Sequence, residues 1–353
     1  MNRKVKLLII LVGALCLAWT GAAEALDQVR IGVILPLTGR AASAGAGIKN
    51  GIDLAYEALT PALAAKVKVI YEDDASESRN SITAYRKFSA DEVDLVVTAF
   101  SNAGHAVAPL AERDHRLHVA FALDPSISAG RTYSFTLWAR VADLAALAVQ
   151  ECRRRGYKKI AAVVTSHEGN LAMFKALAGA AAGEIEIVAK SEVLPDDRDF
   201  QQAVLQLRER TDIDAVANLL HPAQMGVFAR RAKQLGLTAP QFALSNFEDR
   251  AVVKDSAGAL AGQWYAAADY YEQFVRTYRR AYPDSSIIGA AYGHDLLLLL
   301  AKLIQTVSQP AELAGSLRSL QDFNGALRHL SAGAGNTFAV GVTVKVVGQD
   351  GLQ

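Results

Sequence analysis

The glycine-rich segment at residues 45–51 has the spacing that comes nearest to a known chemical motif. Gly45 directly precedes a predicted helix that contains Gly47 and Gly51, and an acidic run at residues 72–74 follows about 20 residues later. In dinucleotide-binding domains such glycines approach a pyrophosphate, and the acidic residue binds a ribose. Here the third glycine is displaced by one position, and ten residues separate the first predicted strand from Gly45. An NAD-dependent enzyme is therefore the less favoured alternative.

Other reactive side chains give little support for catalysis. His115 and His118 have the spacing of one helical face and could hold a metal ion, but their segment is predicted to pass from a helix end into a strand. The sequence has no His-Glu-x-x-His, Cys-x-x-Cys or Gly-x-Ser-x-Gly motif. Zinc hydrolysis and nucleophile-elbow chemistry therefore have no support. We expect no metal, no cofactor and no enzymatic activity.

The first 25 residues have the three parts of a secretion signal. A basic segment at residues 3–6 precedes an apolar run at residues 7–19, and small residues lead up to Ala25. We predict cleavage after Ala25 and a periplasmic location. The remaining chain has 34 basic and 35 acidic residues, a balance that argues against nucleic acid or an anionic membrane as partner. It retains one cysteine, Cys152, and so forms no internal disulfide bond.

Short apolar runs rich in valine and isoleucine alternate with alanine-rich helical periods along the rest of the chain. This order is typical of strand and helix units built around parallel sheets. We predict strands at residues 29–35, 67–71, 93–98, 117–121, 159–165, 185–190, 215–219 and 241–244. Helices are predicted at residues 46–59, 79–89, 103–114, 143–155, 170–181, 200–209, 223–235 and 249–256.

Three interruptions of this alternation divide the chain into lobes of roughly 150 residues. A strand-like segment at residues 133–138 has no helix of its own before it, and residues 260–268 precede three consecutive predicted helices. The tail at residues 337–347 alternates as a strand. We therefore predict an α/β fold of two doubly wound, Rossmann-like lobes joined by three hinge strands. Lobe 1 would comprise residues 26–138 and 268–326, and lobe 2 residues 139–267 and 327–353.

Several segments along the chain carry a recognisable pattern. They include Val29-Arg-Ile-Gly-Val-Ile-Leu-Pro-Leu-Thr-Gly39, Gly47-Ile-Lys-Asn-Gly-Ile-Asp-Leu-Ala55, Tyr71-Glu-Asp-Asp74, Ala291-Tyr-Gly-His-Asp295 and Phe323-Asn-Gly325. In this order, over nearly all of the chain after residue 25, they resemble the leucine/isoleucine/valine-binding protein family of ABC importers. The resemblance implies a type I periplasmic binding protein fold, in which two lobes clamp a small solute for delivery to a membrane permease.

The carboxyl ends of the strands are where a binding site is expected, whatever the family. Loops there form a crevice in open α/β sheets, and helix N termini offer unpaired N–H groups to polar or anionic solutes. Ser101 and Asn102 lie between the third predicted strand and its helix, where they could cap the helix, contact a ligand, or do both. His221 ends another strand directly before Pro222. A solvated loop histidine explains it as well as a ligand contact does.

The resemblance implies further contacts. In the family, the loop after the third strand supplies a hydroxyl and N–H groups to the ligand carboxylate, and the next such loop, here Ala122 and Leu123, usually reads Ala-Thr. Glu168 stands where the family usually has an aromatic residue, although an acidic residue also simply stabilises a first helical turn. Asn246 and Phe247 stand where amino-acid-binding members carry an acidic residue for the ligand ammonium. Each of these positions is a candidate ligand contact.

These departures change the expected ligand. Leu123 removes a hydroxyl, and Asn246 cannot neutralise an ammonium, whose burial without a countercharge is strongly unfavourable. We expect a small organic solute with at least one acceptor or carboxylate group. Phe100, Phe121, Trp138 and Phe247 favour an aromatic solute, although they could equally belong to the core. The expected partners are the solute and a membrane permease, and the protein is expected to be a monomer. A sensor subunit with the same fold is the alternative.

Overall fold

The computed structural model describes residues 28–39 and 41–348. The predicted signal segment lies outside them and stays a prediction. The strands are β1 Val29–Leu35, β2 Val67–Asp73, β3 Leu95–Ala99, β4 Leu117–Phe121, β5 Ser134–Thr136, β6 Lys159–Thr165, β7 Glu186–Val193, β8 Ala215–Leu219, β9 Gln241–Leu244, β10 Trp264–Ala268, β11 Ser331–Ala332, β12 Phe338–Ala339 and β13 Val342–Val346.

Each predicted helix overlaps a helix of the structure, with shifted ends. The helices are α1 Ala42–Glu57, α2 Pro61–Ala64, α3 Ser78–Ala90, α4 Phe100–Arg113, α5 Val141–Arg154, α6 Glu168–Ala181, α7 Gln201–Arg208, α8 Pro222–Gln234, α9 Arg250–Asp255, α10 Glu272–Ala281, α11 Ala290–Leu303 and α12 Glu312–Arg318. The short helix α2 was not predicted. Among the described residues, none of the helices has the length and apolar character needed to span a lipid bilayer.

Two sheets divide the molecule into two lobes. The first sheet has the order β2-β1-β3-β4-β5, and the second has the order β13-β10-β9-β8-β6-β7. Neighbouring strands are parallel, except that β13 runs antiparallel to β10. The central strands β3, β4 and β8 are buried along their whole length, as expected for parallel strands covered on both faces. The predicted α/β class is confirmed, and each of the eight predicted strands overlaps a strand.

Within the described residues, the chain passes between the lobes three times. The first passage follows β5 and leads to α5, which packs on the second sheet. The second follows β10 and leads to helices of the first lobe, and the third lies directly before β13. Backbone bonds join the last two passages, since the Asp269 N–H donates to the Gly341 carbonyl over 2.8 Å. These two passages therefore lie side by side, as a hinge requires.

The segment at residues 327–339 belongs with the first lobe, although we predicted it in the second. The Ser128 hydroxyl donates to the Gly335 carbonyl over 2.8 Å, and the rings of Phe135 and Phe338 lie 6.2 Å apart. The alternating pattern of the tail concealed the change of lobe, because it covers two strands, β12 and β13, that lie in different lobes. The third passage therefore comes later than predicted.

The glycines that suggested a nucleotide site serve helix packing instead. A Cβ on Gly47 would lie 2.6 Å from the Ser286 carbonyl oxygen, and one on Gly51 would lie 2.0 Å from the Ala290 oxygen. On the facing helix, a Cβ on Gly293 would lie 2.6 Å from the Ile48 oxygen. These distances are too short for any side chain. The glycines let α1 and α11 approach closely, which explains the dinucleotide-like spacing by packing alone.

Gly325 and Asp295, both within segments that carried the family resemblance, form one structural unit. The Asp295 carboxylate is buried and accepts the N–H groups of Ala326 and Leu327 over 2.6 Å and 2.8 Å. A Cβ on Gly325 would lie 2.2 Å from the carboxylate. Glycine is therefore required for the loop to wrap around the buried acid. This unit fixes the segment that follows α12 to the first lobe.

Candidate functional site

A cavity of about 210 Å³ lies between the two lobes, and residues of both lobes line it. Its walls come from the loops and first helical turns that follow the carboxyl ends of the parallel strands. Five helices begin at it: α1 and α4 of the first lobe, and α6, α8 and α9 of the second. Representative lining residues of these first turns are Ser43, Ser101, Gly169, Pro222 and Ala251. The first turns of five helices, with their positive dipole ends, therefore border one space.

Part of the cavity lining is apolar and aromatic. Phe100, Phe121 and Trp138 of the first lobe line the cavity, and Met173 lines it from the second lobe. The Trp138 ring is stacked on the ring of Tyr292, with centroids 4.2 Å apart and planes inclined by 7°. This stacking fixes the indole as a flat wall, and such walls bind flat apolar groups well.

Three residues with a strained backbone line the cavity. Ser76, Phe100 and Asn246 all line it and have positive φ angles of 66°, 68° and 71°. Non-glycine residues take such angles at a cost of about 1–3 kcal/mol each, and they cluster at functional sites. The Ser76 Oγ atom is also buried and, among the described residues, has no hydrogen-bond partner. A bound molecule that reaches this oxygen would satisfy it.

The second lobe contributes two carboxyl groups, Asp249 and Asp255, to the lining. Asp249 is 2 % exposed and caps α9 by accepting the Ala251 N–H over 2.7 Å. Its other oxygen accepts the Ser286 hydroxyl over 3.1 Å. Burial raises the pKa of the Asp249 carboxyl above its ordinary value. Among the described residues, no lysine or arginine lines the cavity. A negatively charged solute would therefore be stabilised there by helix N termini and not by a lysine or arginine side chain.

Two histidines also line the cavity from the second lobe. His167 stands at the N-cap of α6 and His221 at the N-cap of α8. Their rings are 6.4 Å apart and nearly perpendicular. Imidazole nitrogens both donate and accept hydrogen bonds, so this pair can contact a polar group of a solute from two helices.

Seven of the nine residues predicted to bind the ligand line the cavity. Asn102 uses its amide to donate to the Ser76 carbonyl over 2.8 Å, which also ties two cavity loops together. Whether these residues contact a solute stays a prediction. The seven are Phe100, Ser101, Asn102, Ala122, Leu123, His221 and Asn246.

The other two predicted residues are not part of the lining. Glu168 begins α6, but its side chain is 60 % exposed and points to the rim, where its carboxylate lies 4.0 Å from the His105 ring. Phe247 is fully buried in the core of the second lobe, with its ring 6.1 Å from that of Tyr265. Both predictions came from position along the chain, which does not reveal which way a loop side chain turns.

Several lining residues were missed by sequence reasoning. His167, Asn170 and Met173 recur at intervals of three, which places them on one face of α6. That spacing was a usable signal. Asp249 had another signal, because an aspartate directly before a short helix is a typical N-cap.

The alternative metal site is not supported by the geometry. His118 is buried within β4, whereas His115 lies in the turn before it with a φ of 51°. In the part of the chain that the structure describes, no group of three or more His, Cys, Asp or Glu side chains could hold a metal ion.

Comparison with known proteins is consistent with this geometry. A curated relative, the Leu/Ile/Val-binding protein BraC3 of Rhizobium johnstonii, is 28% identical over 246 residues, which cover 65% of this chain and 66% of that protein. The alignment thus spans slightly less than two thirds of the relative. Two solved structures share the fold. The leucine binding protein LivK of Thermotoga maritima has 20% identity and a TM-score of 0.81, with 91% of this chain and 96% of that chain covered.

The second structure is a solute binding protein of an ABC transporter from Rhodopseudomonas palustris in complex with 3,4-dihydroxybenzoic acid. It has 20% identity and a TM-score of 0.80, with 91% of this chain and 93% of that chain covered. The family profile described as "Periplasmic binding protein" matches residues 28–341, which is most of the sequence. With two lobes, three passages and a cavity between them, the chain belongs to the periplasmic binding protein family.

Proposed function

We propose that the protein captures a small aromatic carboxylate in the periplasm and delivers it, as a monomer, to the membrane permease of an ABC importer. The observation that carries this proposal is the composition of the cavity. Three aromatic side chains contribute to its apolar lining, and five helix N termini border it. A flat ring that bears one anionic group is complementary to both.

The carboxylate is proposed to bind at the start of α4. Ser101 lies there and is 4 % exposed. The Oγ atom of Ser76 also lines the cavity, and it is buried without a hydrogen-bond partner among the described residues. A carboxylate accepts hydrogen bonds from hydroxyl and N–H groups, and such bonds are about twice as strong as neutral ones. The aromatic ring would then lie along Trp138.

An amino acid as ligand is less well supported. Its ammonium needs an ionised partner, and Asn246 supplies none. Asp249 and Asp255 are the carboxyl groups in the lining. Both oxygens of Asp249 already accept hydrogen bonds and its burial disfavours the ionised form, and Asp255 lies at the far end of α9, away from Asn246 in the chain. A buried ammonium without a firm countercharge would cost several kcal/mol. The relatives whose names mention leucine do not remove this difficulty for the present chain.

A calorimetric titration of the purified protein tests the proposal. The panel is benzoate, 4-hydroxybenzoate, 3,4-dihydroxybenzoate, leucine and valine. We expect one aromatic carboxylate to bind at one molecule per chain with a Kd of about 1 μM or tighter, and leucine and valine to bind at least about 100-fold more weakly because of the missing countercharge.

Benzamide is the matched control, since it keeps the shape of benzoate and lacks the charge. We expect it to bind at least about 10-fold more weakly than benzoate, as expected when a charge-assisted hydrogen bond becomes neutral. Tighter binding of leucine or valine than of every aromatic acid would overturn the proposed ligand class.

A further inference from the structure

A buried hydrogen bond joins the two lobes beside the cavity. The hydroxyl of Ser286 in the first lobe donates to the carboxyl of Asp249 in the second over 3.1 Å, and the two residues are 3 % and 2 % exposed. Ser286 lies between α10 and α11, whereas Asp249 precedes α9. The bond therefore exists only while the lobes are together.

Ser286 is held rigidly by its own lobe. The Tyr278 hydroxyl donates to its carbonyl over 2.6 Å, and its Oγ accepts the Ile288 N–H over 3.1 Å. While Oγ accepts from Ile288, it donates its proton to the Asp249 carboxyl. The serine is thus a fixed donor that the first lobe presents to the second.

Asp249 belongs to a loop that connects the cavity with the hinge. Asn246 in this loop lines the cavity, and the neighbouring Glu248 accepts the Tyr270 hydroxyl over 3.0 Å. Tyr270 lies in the second passage between the lobes. Glu248 also lies 3.4 Å from the ammonium of Lys345 on β13. This loop therefore borders the cavity and contacts both the hinge and the opposite lobe.

We infer that Ser286, which does not line the cavity, is a positioning residue for solute capture: its hydroxyl holds Asp249 and the loop at residues 245–249 in the closed arrangement. In an open form, water would hydrogen-bond to both partners. The bond therefore stabilises the closed form only by the amount by which it is more favourable than those bonds to water. A bond between two buried groups gains most from this, because leaving either group without a partner is costly.

Two other contacts between the lobes are weaker. The ion pair of Arg250 with Asp284 has an N–O distance of 3.4 Å and side chains that are 55 % and 100 % exposed. His105 and Glu168 are 4.0 Å apart at the rim, with Glu168 60 % exposed. Exposed ion pairs contribute little because water screens them. The buried bond from Ser286 is therefore the stronger polar link across the cleft beside the cavity.

The inference rests in part on the proposed function, so the test has one arm with a solute and one without. In the first arm, benzoate is titrated into wild-type protein, Ser286→Ala and Ser285→Ala. The last is the matched control, because the Ser285 hydroxyl accepts the Asn50 amide within the first lobe. Ser286→Ala is expected to lose about 10- to 100-fold in affinity, mainly through faster dissociation. Ser285→Ala should match wild type.

The second arm measures the radius of gyration of the same three proteins by X-ray scattering without any solute. Ser286→Ala is expected to have a larger radius than wild type and Ser285→Ala, because its open form gains population. If wild type does not bind benzoate, the proposed ligand fails while this arm still tests the serine. Equal radii for all three proteins would overturn the inference, as would equal benzoate affinities.

Urea unfolding of the solute-free proteins separates positioning from simple support of the fold. The free energy of unfolding of Ser286→Ala should lie within about 1 kcal/mol of the wild-type value. This difference is smaller than the expected loss of binding free energy, because a tenfold loss of affinity corresponds to about 1.4 kcal/mol. If Ser286→Ala does not fold, Asp249→Asn reports on the same bond, since asparagine keeps the helix cap and weakens the acceptor. It too should enlarge the radius of gyration, and an unchanged radius would contradict the inference.

Discussion

Replacing Gly169 by leucine is expected to lower the affinity for the solute by about 100-fold, in line with the cost of overfilling a closed, packed space. Gly169 lies in the first turn of α6 and lines the cavity. A Cβ there would lie 3.7 Å from the Ser101 Oγ of the opposite lobe, which is ordinary contact. Alanine should therefore be tolerated, whereas a leucine must enter the cavity or keep the lobes apart.

The control is Gly179→Leu on the same helix. No heavy atom lies within 4 Å of a Cβ built at Gly179, and replacing an exposed helical glycine stabilises by up to about 1 kcal/mol. Titration and urea unfolding on both variants separate binding from folding. Wild-type affinity in Gly169→Leu would mean that the lobes do not close on the solute where the cavity lies.

His118 is expected to make the protein lose stability as the pH falls below 6.5. It is fully buried in β4, where its ring nitrogens lie 2.9 Å from the Thr98 hydroxyl and 3.3 Å from that of Ser134. Burial, with a smaller contribution from the charge of Arg131, lowers its pKa to about 3. The unfolded chain therefore takes up the proton first. The stabilising effect is complete above pH 6.5 and is lost progressively as the pH falls toward 3.

The loss between pH 6.5 and pH 5 is about 2 kcal/mol, at 1.36 kcal/mol per pH unit. His118→Gln should be less stable than wild type at pH 7, but it should lack this slope, so the two free energies of unfolding converge by about 2 kcal/mol. Urea unfolding at pH 7, 6 and 5 measures this. His329→Gln, with a side chain 77 % exposed, should keep the wild-type slope. Parallel pH curves for His118→Gln and wild type would contradict the assignment.

Most of the fold could be predicted from sequence because local patterns specified it. The valine and isoleucine runs of β1, β3 and β4 are buried throughout or nearly so, and such runs between helical periods indicate parallel strands. The tail could not be divided correctly, because its alternation continues from β12 into β13. The contacts that separate them, such as that of Ser128 with Gly335, join residues 207 positions apart.

The site was predictable in position and less so in composition. The rule that loops at strand carboxyl ends form the crevice selected Ser101, Ala122 and His221, and these residues line the cavity. Asn246 and Phe247 show the limit. The positive φ of Asn246 turns the loop, so that one neighbour lines the cavity and the other enters the core. Asparagine is enriched at positive φ, but most asparagines do not adopt it, so the residue type alone did not predict this turn.

The central claim is that one small molecule binds between the lobes. A crystal structure of the protein with the tightest binder of the titration panel tests it most directly. The account predicts electron density for one molecule per chain beside Trp138, with its carboxylate at the first turn of α4 and atoms of both lobes in contact with it. Density on the outer surface of a single lobe, with the space between the lobes holding only solvent, would contradict it.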